Sequence, residues 1–103
     1  LKGASEGIVV AGGQGQGNNL NQISHPYGLI VNEIGDVYVA DSDNNRVMCW
    51  PLGSKEGRVV VGGNGEGEES NQLNYARGLS LDVEHNLYVA DSTNNRVQRF
   101  RVA

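Results

Sequence analysis

Four side chains at matching places in two related segments have the chemistry of a binding site. They are His25 and Tyr27, then Tyr75 and Arg77 fifty residues on. Aromatic rings offer stacking surfaces, and imidazole and guanidinium offer hydrogen-bond donors. Just upstream stand two amide pairs, Asn21-Gln22 and Asn71-Gln72. Amides beside aromatics suit sugar hydroxyls or peptide groups, yet the same amides can pin a long loop to a sheet. A second set is Asp41 with Arg46, repeated as Asp91 with Arg96. A carboxylate and a guanidinium at this spacing can pair across a tight turn through charge-assisted hydrogen bonds. Both copies keep the pair, which favours a structural role over a catalytic Asp. No residue is assigned a catalytic role, and neither a metal site nor a cofactor is expected.

Other motifs carry less. The run Gly12-Gly13-Gln14-Gly15-Gln16-Gly17 and its second copy, residues 62–67, superficially resemble a phosphate-cradling loop. A phosphate loop needs a following helix whose N-terminus faces the anion, and no helical pattern follows here. The glycines are read instead as letting the chain turn back sharply. Glu66, Glu68 and Glu69 read as a solvated loop and not a Ca²⁺ site. His25 and His85 occupy different positions in the two units, so within one chain they are not expected to share a metal. Cys49 is read as unreactive packing and Trp50 as core. Asn44 and Asn95 tolerate left-handed backbone and can bond to nearby amides.

These residues are held by an internal repeat. Tyr38–Val47, YVADSDNNRV, returns as Tyr88–Val97, YVADSTNNRV, with only Asp43 changed, to Thr93. The repeats span about 3–52 and 53–103, and Gly28-Leu29 falls on Gly78-Leu79. Each unit reads as four short strands. The first unit has Ile8–Ala11, Tyr27–Asn32, Val37–Asp41 and Arg46–Trp50. The second has Arg58–Val61, Arg77–Asp82, Leu87–Asp91 and Arg96–Phe100. Continuous apolar runs such as Val37–Ala40 point to strands covered on both faces. Four strands in a unit of this length suggest a β-propeller blade, and an all-β fold.

The motif Gly-Leu, Tyr-Val-Ala-Asp-Ser, Asn-Asn-Arg-Val, present twice, resembles the NHL repeat. The resemblance covers nearly the whole chain. His85 stands where the first unit has Gly35, and Ala76 where it has Pro26. The resemblance implies four-stranded blades, usually six to a ring, in a family with protein-binding, RNA-binding and enzymatic members. With the Gly-Leu strand innermost (A) and the Val-Val-Gly-Gly strand outermost (D), the chain reads D-A-B-C-D-A-B-C. Ile8–Ala11 is then an orphan outer strand, and the last blade lacks its fourth. Open strand edges template pairing with another chain, so other copies are expected to complete the ring, a homotrimer first and a dimer or tetramer otherwise.

Bulk properties bound the function. The net charge of −4 over 103 residues argues against an electrostatic grip on nucleic acid or anionic membrane. A single cysteine permits no disulfide within the chain. No apolar run is long enough for a membrane span, so a soluble chain is expected, secreted or not. The chain opens with neither a Met nor a signal-peptide pattern, and processing or trimming is expected. The expected function is a non-catalytic, oligomeric binding scaffold that recognises a protein or glycan through loops on one face. The alternatives are a metal-dependent lyase-like enzyme, for which His25 and Asp82 would have to serve, and an RNA-binding domain.

Overall fold

The computed structural model describes residues 6–63, 65, 67, 69 and 72–102. Seven strands follow one another: β1 (Pro26–Val31), β2 (Val37–Asp41), β3 (Arg46–Trp50), β4 (Arg58–Gly62), β5 (Ala76–Leu81), β6 (Asn86–Asp91) and β7 (Arg96–Arg101). They form two antiparallel sheets, ordered β1-β2-β3-β4 and β5-β6-β7. This all-β arrangement is consistent with neighbouring units of a β-propeller. Among the described residues no helix is long and apolar enough to cross a membrane.

β1 and β5 stop at Val31 and Leu81, one residue short of the expected ends. The cause is the next side chain. Asn32 Oδ1 accepts the backbone N–H groups of Ile34, Gly35 and Asp36 at 3.2, 3.1 and 2.9 Å. Asp82 Oδ1 accepts those of Glu84 and Asn86, both at 2.9 Å. Each side chain draws the backbone into a turn and away from the ladder. In the second turn His85 takes the left-handed backbone that Gly35 takes in the first.

Ile8–Ala11 departs from the expected strand. Among the described residues it pairs with no strand, and Ile8, Val9 and Val10 are exposed. The hairpins after β2 and β6 also differ in detail. Each holds a 3-10 turn, Ser42–Asn44 and Ser92–Asn94, where no helical signal was read. The left-handed residues are Asn45 and Asn95. Asn44 lies inside the turn, and its amide donates to Asp41 Oδ2 and to the Gly17 carbonyl.

The sheets stack face to face. Tyr38, Ala40, Val47 and Cys49 on one face of β2 and β3 meet Leu87 and Val89 of β6, with Leu73 and Ala76 in the same cluster. The opposite face, Val37, Val39, Met48 and Trp50, is covered by Ala11 and Ile23. Both faces of β2 and β3 are therefore buried, and every residue of these strands is enclosed. Enclosing one such Val or Met side chain contributes about 1.5–3 kcal/mol. β6 has almost the same sequence as β2, yet its burial alternates along the strand, because the described residues cover one of its faces. At Gly28 the stacking brings backbone against backbone. A Cβ there would overlap the Arg77 carbonyl oxygen and stand 3.2 Å from Gly78 Cα.

One buried carboxylate organises each unit. Asp41 accepts the Ser24 N–H at 2.7 Å through Oδ1, and Asn44 Nδ2 (2.9 Å) and Arg46 Nε (2.6 Å) through Oδ2. Arg46 then donates to the Asn18, Asn19 and Gln22 carbonyls at 3.0–3.2 Å. Asp91 repeats the scheme with the Asn74 N–H, Asn94 and Arg96, and Arg96 donates to the Glu69 and Gln72 carbonyls. Burial pushes the Asp91 carboxyl up. The Asn74 N–H, the Asn94 amide and Arg96 outweigh it and hold the carboxyl below its ordinary range.

Two carboxylate systems, Asp41 and Asp91 with their arginines and Asp82 in its turn, set measurable stabilities. Arg46→Ala leaves a fully buried Asp41 without its cation, a loss of about 3–5 kcal/mol. Arg96 is 28% exposed at its side chain against 7% for Arg46. Thermal melts should therefore show a larger drop for Arg46→Ala than for Arg96→Ala; equal, negligible drops would remove the structural role. The second concerns Asp82, whose carboxyl the Asn86 backbone N–H and amide, then Glu84 and Tyr88, hold down to about 2 from 3.8. A folded-state value below the unfolded one stabilises the protein above the unfolded value, and that stability is lost as the pH falls through the folded one. The melting temperature should fall between pH 3.8 and about 2, and fall less in Asp82→Asn. Equal falls in both chains would mean that Asp82 contributes nothing.

Candidate functional site

β1 and β5 run side by side, so their first residues meet although the chain separates them widely. The Tyr27 and Tyr75 rings lie 5.5 Å apart at 62°, edge to face, and the Tyr75 hydroxyl donates to the Tyr27 hydroxyl at 3.4 Å. That bond, more than any other influence, raises the Tyr75 hydroxyl above its ordinary value. The Arg77 guanidinium carbon stands 4.4 Å from the centre of the Tyr27 ring, a cation–π contact of about 0.5–1 kcal/mol at an exposed position. Tyr27 and Arg77 are exposed, and Tyr75 is half-buried. Two rings packed edge to face and a cation thus form one polar-edged aromatic surface.

His25 borders this surface. Its Nδ1 lies 2.5 Å from Asp43 Oδ2, and the Ser24 hydroxyl donates to the same oxygen at 3.0 Å. Gln16 Nε2 in turn donates to Ser24 Oγ at 2.9 Å. Ser, His and Asp are the residue types of a hydrolytic triad, but the geometry is not one. A triad places the nucleophile and the carboxylate at opposite ring nitrogens. Here both oxygens approach Nδ1, and the buried Ser24 hydroxyl points its hydrogen bond at Asp43 instead of the imidazole.

His25 and Tyr75 occupy equivalent positions, and both have left-handed backbone, φ 55 and 63. Bulky residues rarely take this conformation, which costs on the order of 1–3 kcal/mol where the surroundings impose it. The buried carboxylates impose it from one side, holding the Ser24 and Asn74 N–H groups. The hairpins impose it from the other, since the Asp43 and Thr93 N–H groups donate to the Ser24 and Asn74 carbonyls. Asn45 Oδ1 of the first unit also accepts the Tyr75 N–H at 2.9 Å.

The remaining sequence-derived residues lie elsewhere. Gln22 is used inside its own loop, its amide donating to the Gln14 carbonyl and accepting the Asn19 N–H. Gln72 Oε1 likewise accepts the Glu69 N–H. Asn21 lines a separate cleft of about 650 Å³ with Val9, Trp50 and Lys55. Asn71 lies outside the described residues, as do Glu66 and Glu68. Asp82 is occupied by its turn and by the Tyr88 hydroxyl at 3.1 Å, and His85 lies in that turn. Among the described residues no group of three or more His, Cys, Asp or Glu could hold a metal ion.

Sequence reasoning missed Asp43, Ser24 and Asn45. A signal for Asp43 was present: it is the one position that differs between the two ten-residue copies. His25 with Asp43 in one unit becomes Tyr75 with Thr93 in the other, so the two exchanges go together.

With this geometry in view, comparison with known families gives one match. Residues 73–100 match the NHL repeat. The match covers β5, β6 and nearly all of β7. No curated protein matches the chain.

Proposed function

We propose that this chain, which carries an NHL repeat at residues 73–100, is a non-catalytic binding scaffold. It recognises a protein ligand through the surface formed by Tyr27, Tyr75 and Arg77, with His25 and Asp43 at its edge. The observation that supports this reading is the convergence of two rings and an exposed cation from both sheets. Tyr and Arg are the residue types enriched where binding energy concentrates. NHL repeats generally mediate protein binding, and the arrangement here suits an extended segment laid across the junction of two units. The Gln22 and Gln72 amides are engaged within their loops and leave the rings and the cation as the contact groups, and these residue types are the ones enriched at protein interfaces. Several copies in one ring, three for six blades, would repeat the surface, and avidity would then strengthen weak single sites.

Labelled protein applied to peptide and glycan arrays tests the reading. Peptides should be bound, and Tyr27→Ala and Arg77→Ala should each weaken binding about tenfold, roughly 1.4 kcal/mol, without change in circular dichroism. Full affinity in both variants, with loss on changing Trp50 or His85 instead, would place the site elsewhere. Glycan hits alone would replace the protein ligand by a sugar.

A further inference from the structure

Tyr27 and Arg77 hold equivalent positions in the two units, and each stands where its strand breaks register. In β1 the ladder passes from Pro26 opposite Asp41 to Leu29 opposite Val39, so Tyr27 and Gly28 together face Ala40. In β5 it passes from Ala76 opposite Asp91 to Gly78 opposite Ala90, and Arg77 is the extra residue. A bulge of this kind takes a residue out of the ladder and re-aims its side chain. The two side chains set free in this way meet each other, with the Arg77 guanidinium carbon 4.4 Å from the centre of the Tyr27 ring.

What this surface offers is donors. Arg77 has N–H groups and no acceptor. Among the described residues its side chain donates to no oxygen and pairs with no carboxylate. Arg46 and Arg96, by contrast, are each held by a buried Asp and by loop carbonyls. The face of the Tyr27 ring attracts the charge of Arg77 and steadies the group. The Tyr27 oxygen accepts from Tyr75 at 3.4 Å, and its own proton has no acceptor among the described residues. Asp43 also bears on Tyr75, yet its Oδ2 faces His25 Nδ1 and takes the Ser24 hydroxyl. It is engaged there and leaves Arg77 without a counter-charge.

We infer that the peptide segment bound at this surface presents an Asp or Glu side chain, and that Arg77 takes its carboxylate. The inference rests on the binding reading above and names the chemistry of the partner. A guanidinium matches a carboxylate through two parallel N–H···O bonds. A cation already placed over a ring loses less freedom on forming them. A backbone carbonyl of a neutral segment makes a weaker bond to the same group. The Tyr27 hydroxyl supplies a further donor to the same segment. At the His25 edge an incoming carboxylate meets Asp43, and like charges repel, so the acid is placed at Arg77. The net charge of −4 opposes an acidic segment at long range. The preference therefore comes from this local contact and not from steering.

Peptides captured on an array test the inference when each is made again with its Asp or Glu changed to Asn or Gln, to Lys, or to phosphoserine. Affinities are read by fluorescence anisotropy. The acid form should bind about tenfold more tightly than the amide form, and the Lys form more weakly than either. Arg77→Ala should keep the circular dichroism of the unaltered chain, because its side chain is exposed, and should bind acid and amide forms alike. Arg77→Lys keeps the charge without the fork and should retain part of the difference. Acid and amide forms of equal affinity, or a difference that survives Arg77→Ala, would overturn the inference while peptide binding stands. Tighter binding of the phosphoserine form than of the acid form would replace the carboxylate by a phosphate. An array with no bound peptide would remove the binding reading and this inference with it.

Discussion

A carboxylate sealed from water must be surrounded by donors, and in this protein that requirement is met twice in the same way. Asp41 and Asp91 have no exposed surface. Each draws in a backbone N–H from the loop before β1 or β5, an Asn amide from its own hairpin and an Arg from the next strand. Three chain segments that would otherwise be independent are thereby tied to one atom pair. The Arg extends the tie, because its remaining N–H groups reach carbonyls further back in the long loop. Each such group satisfies a backbone acceptor that an irregular loop would otherwise leave to water.

The candidate site depends on this arrangement. Residues 25 and 75 follow directly on the N–H groups that the carboxylates hold, and both are left-handed. A loop free to relax would release that backbone strain. A loop anchored on both sides cannot, and His25 and Tyr75 stay where Tyr27, Arg77 and Asp43 can meet them. Strain of this kind gathers where side-chain placement matters more than local stability. Between the two units the anchor is the same and the presented residues differ, so one scaffold offers two chemistries side by side.

Burial also explains why two nearly identical strands behave differently. β2 and β6 share Tyr-Val-Ala-Asp, yet β2 is enclosed on both faces and β6 on one. The difference lies in the neighbours: among the described residues the second sheet and the Ala11 and Ile23 side chains cover opposite faces of β2, and the first sheet with Leu73 covers one face of β6. An identical sequence is thus compatible with two environments, and the less covered face of β6 and β7 mixes Tyr88, Ala90 and Val97 with Asn86, Arg99 and Arg101.

The repeat, seven of the eight strand positions (all but Ile8–Ala11) and the hairpins were legible in the sequence because they rest on local chemistry: β-branched runs, Gly and Asn at turns, and a period of fifty. β2 and β3 have the bounds read from the residues alone, and β1 and β5 differ by one residue at each end, where Asn32 and Asp82 bend the chain. The pairing of Asp41 with Arg46 was readable too, since both lie on one hairpin. Contacts made across the sheets were not. Nothing in the spacing of Tyr27 and Tyr75 says that their rings touch; that follows only once Gly28 lets β1 and β5 approach backbone to backbone. The His25–Asp43 pair likewise joins a loop to a hairpin that only the buried carboxylate brings together. Gln22 and Gln72 had two open readings, and the turn of each loop decided between them by using their amides internally. Sequence determined the units and their turns because those depend on neighbours in the chain. Tertiary structure decided the site, because its members become neighbours only when one sheet lies on the other.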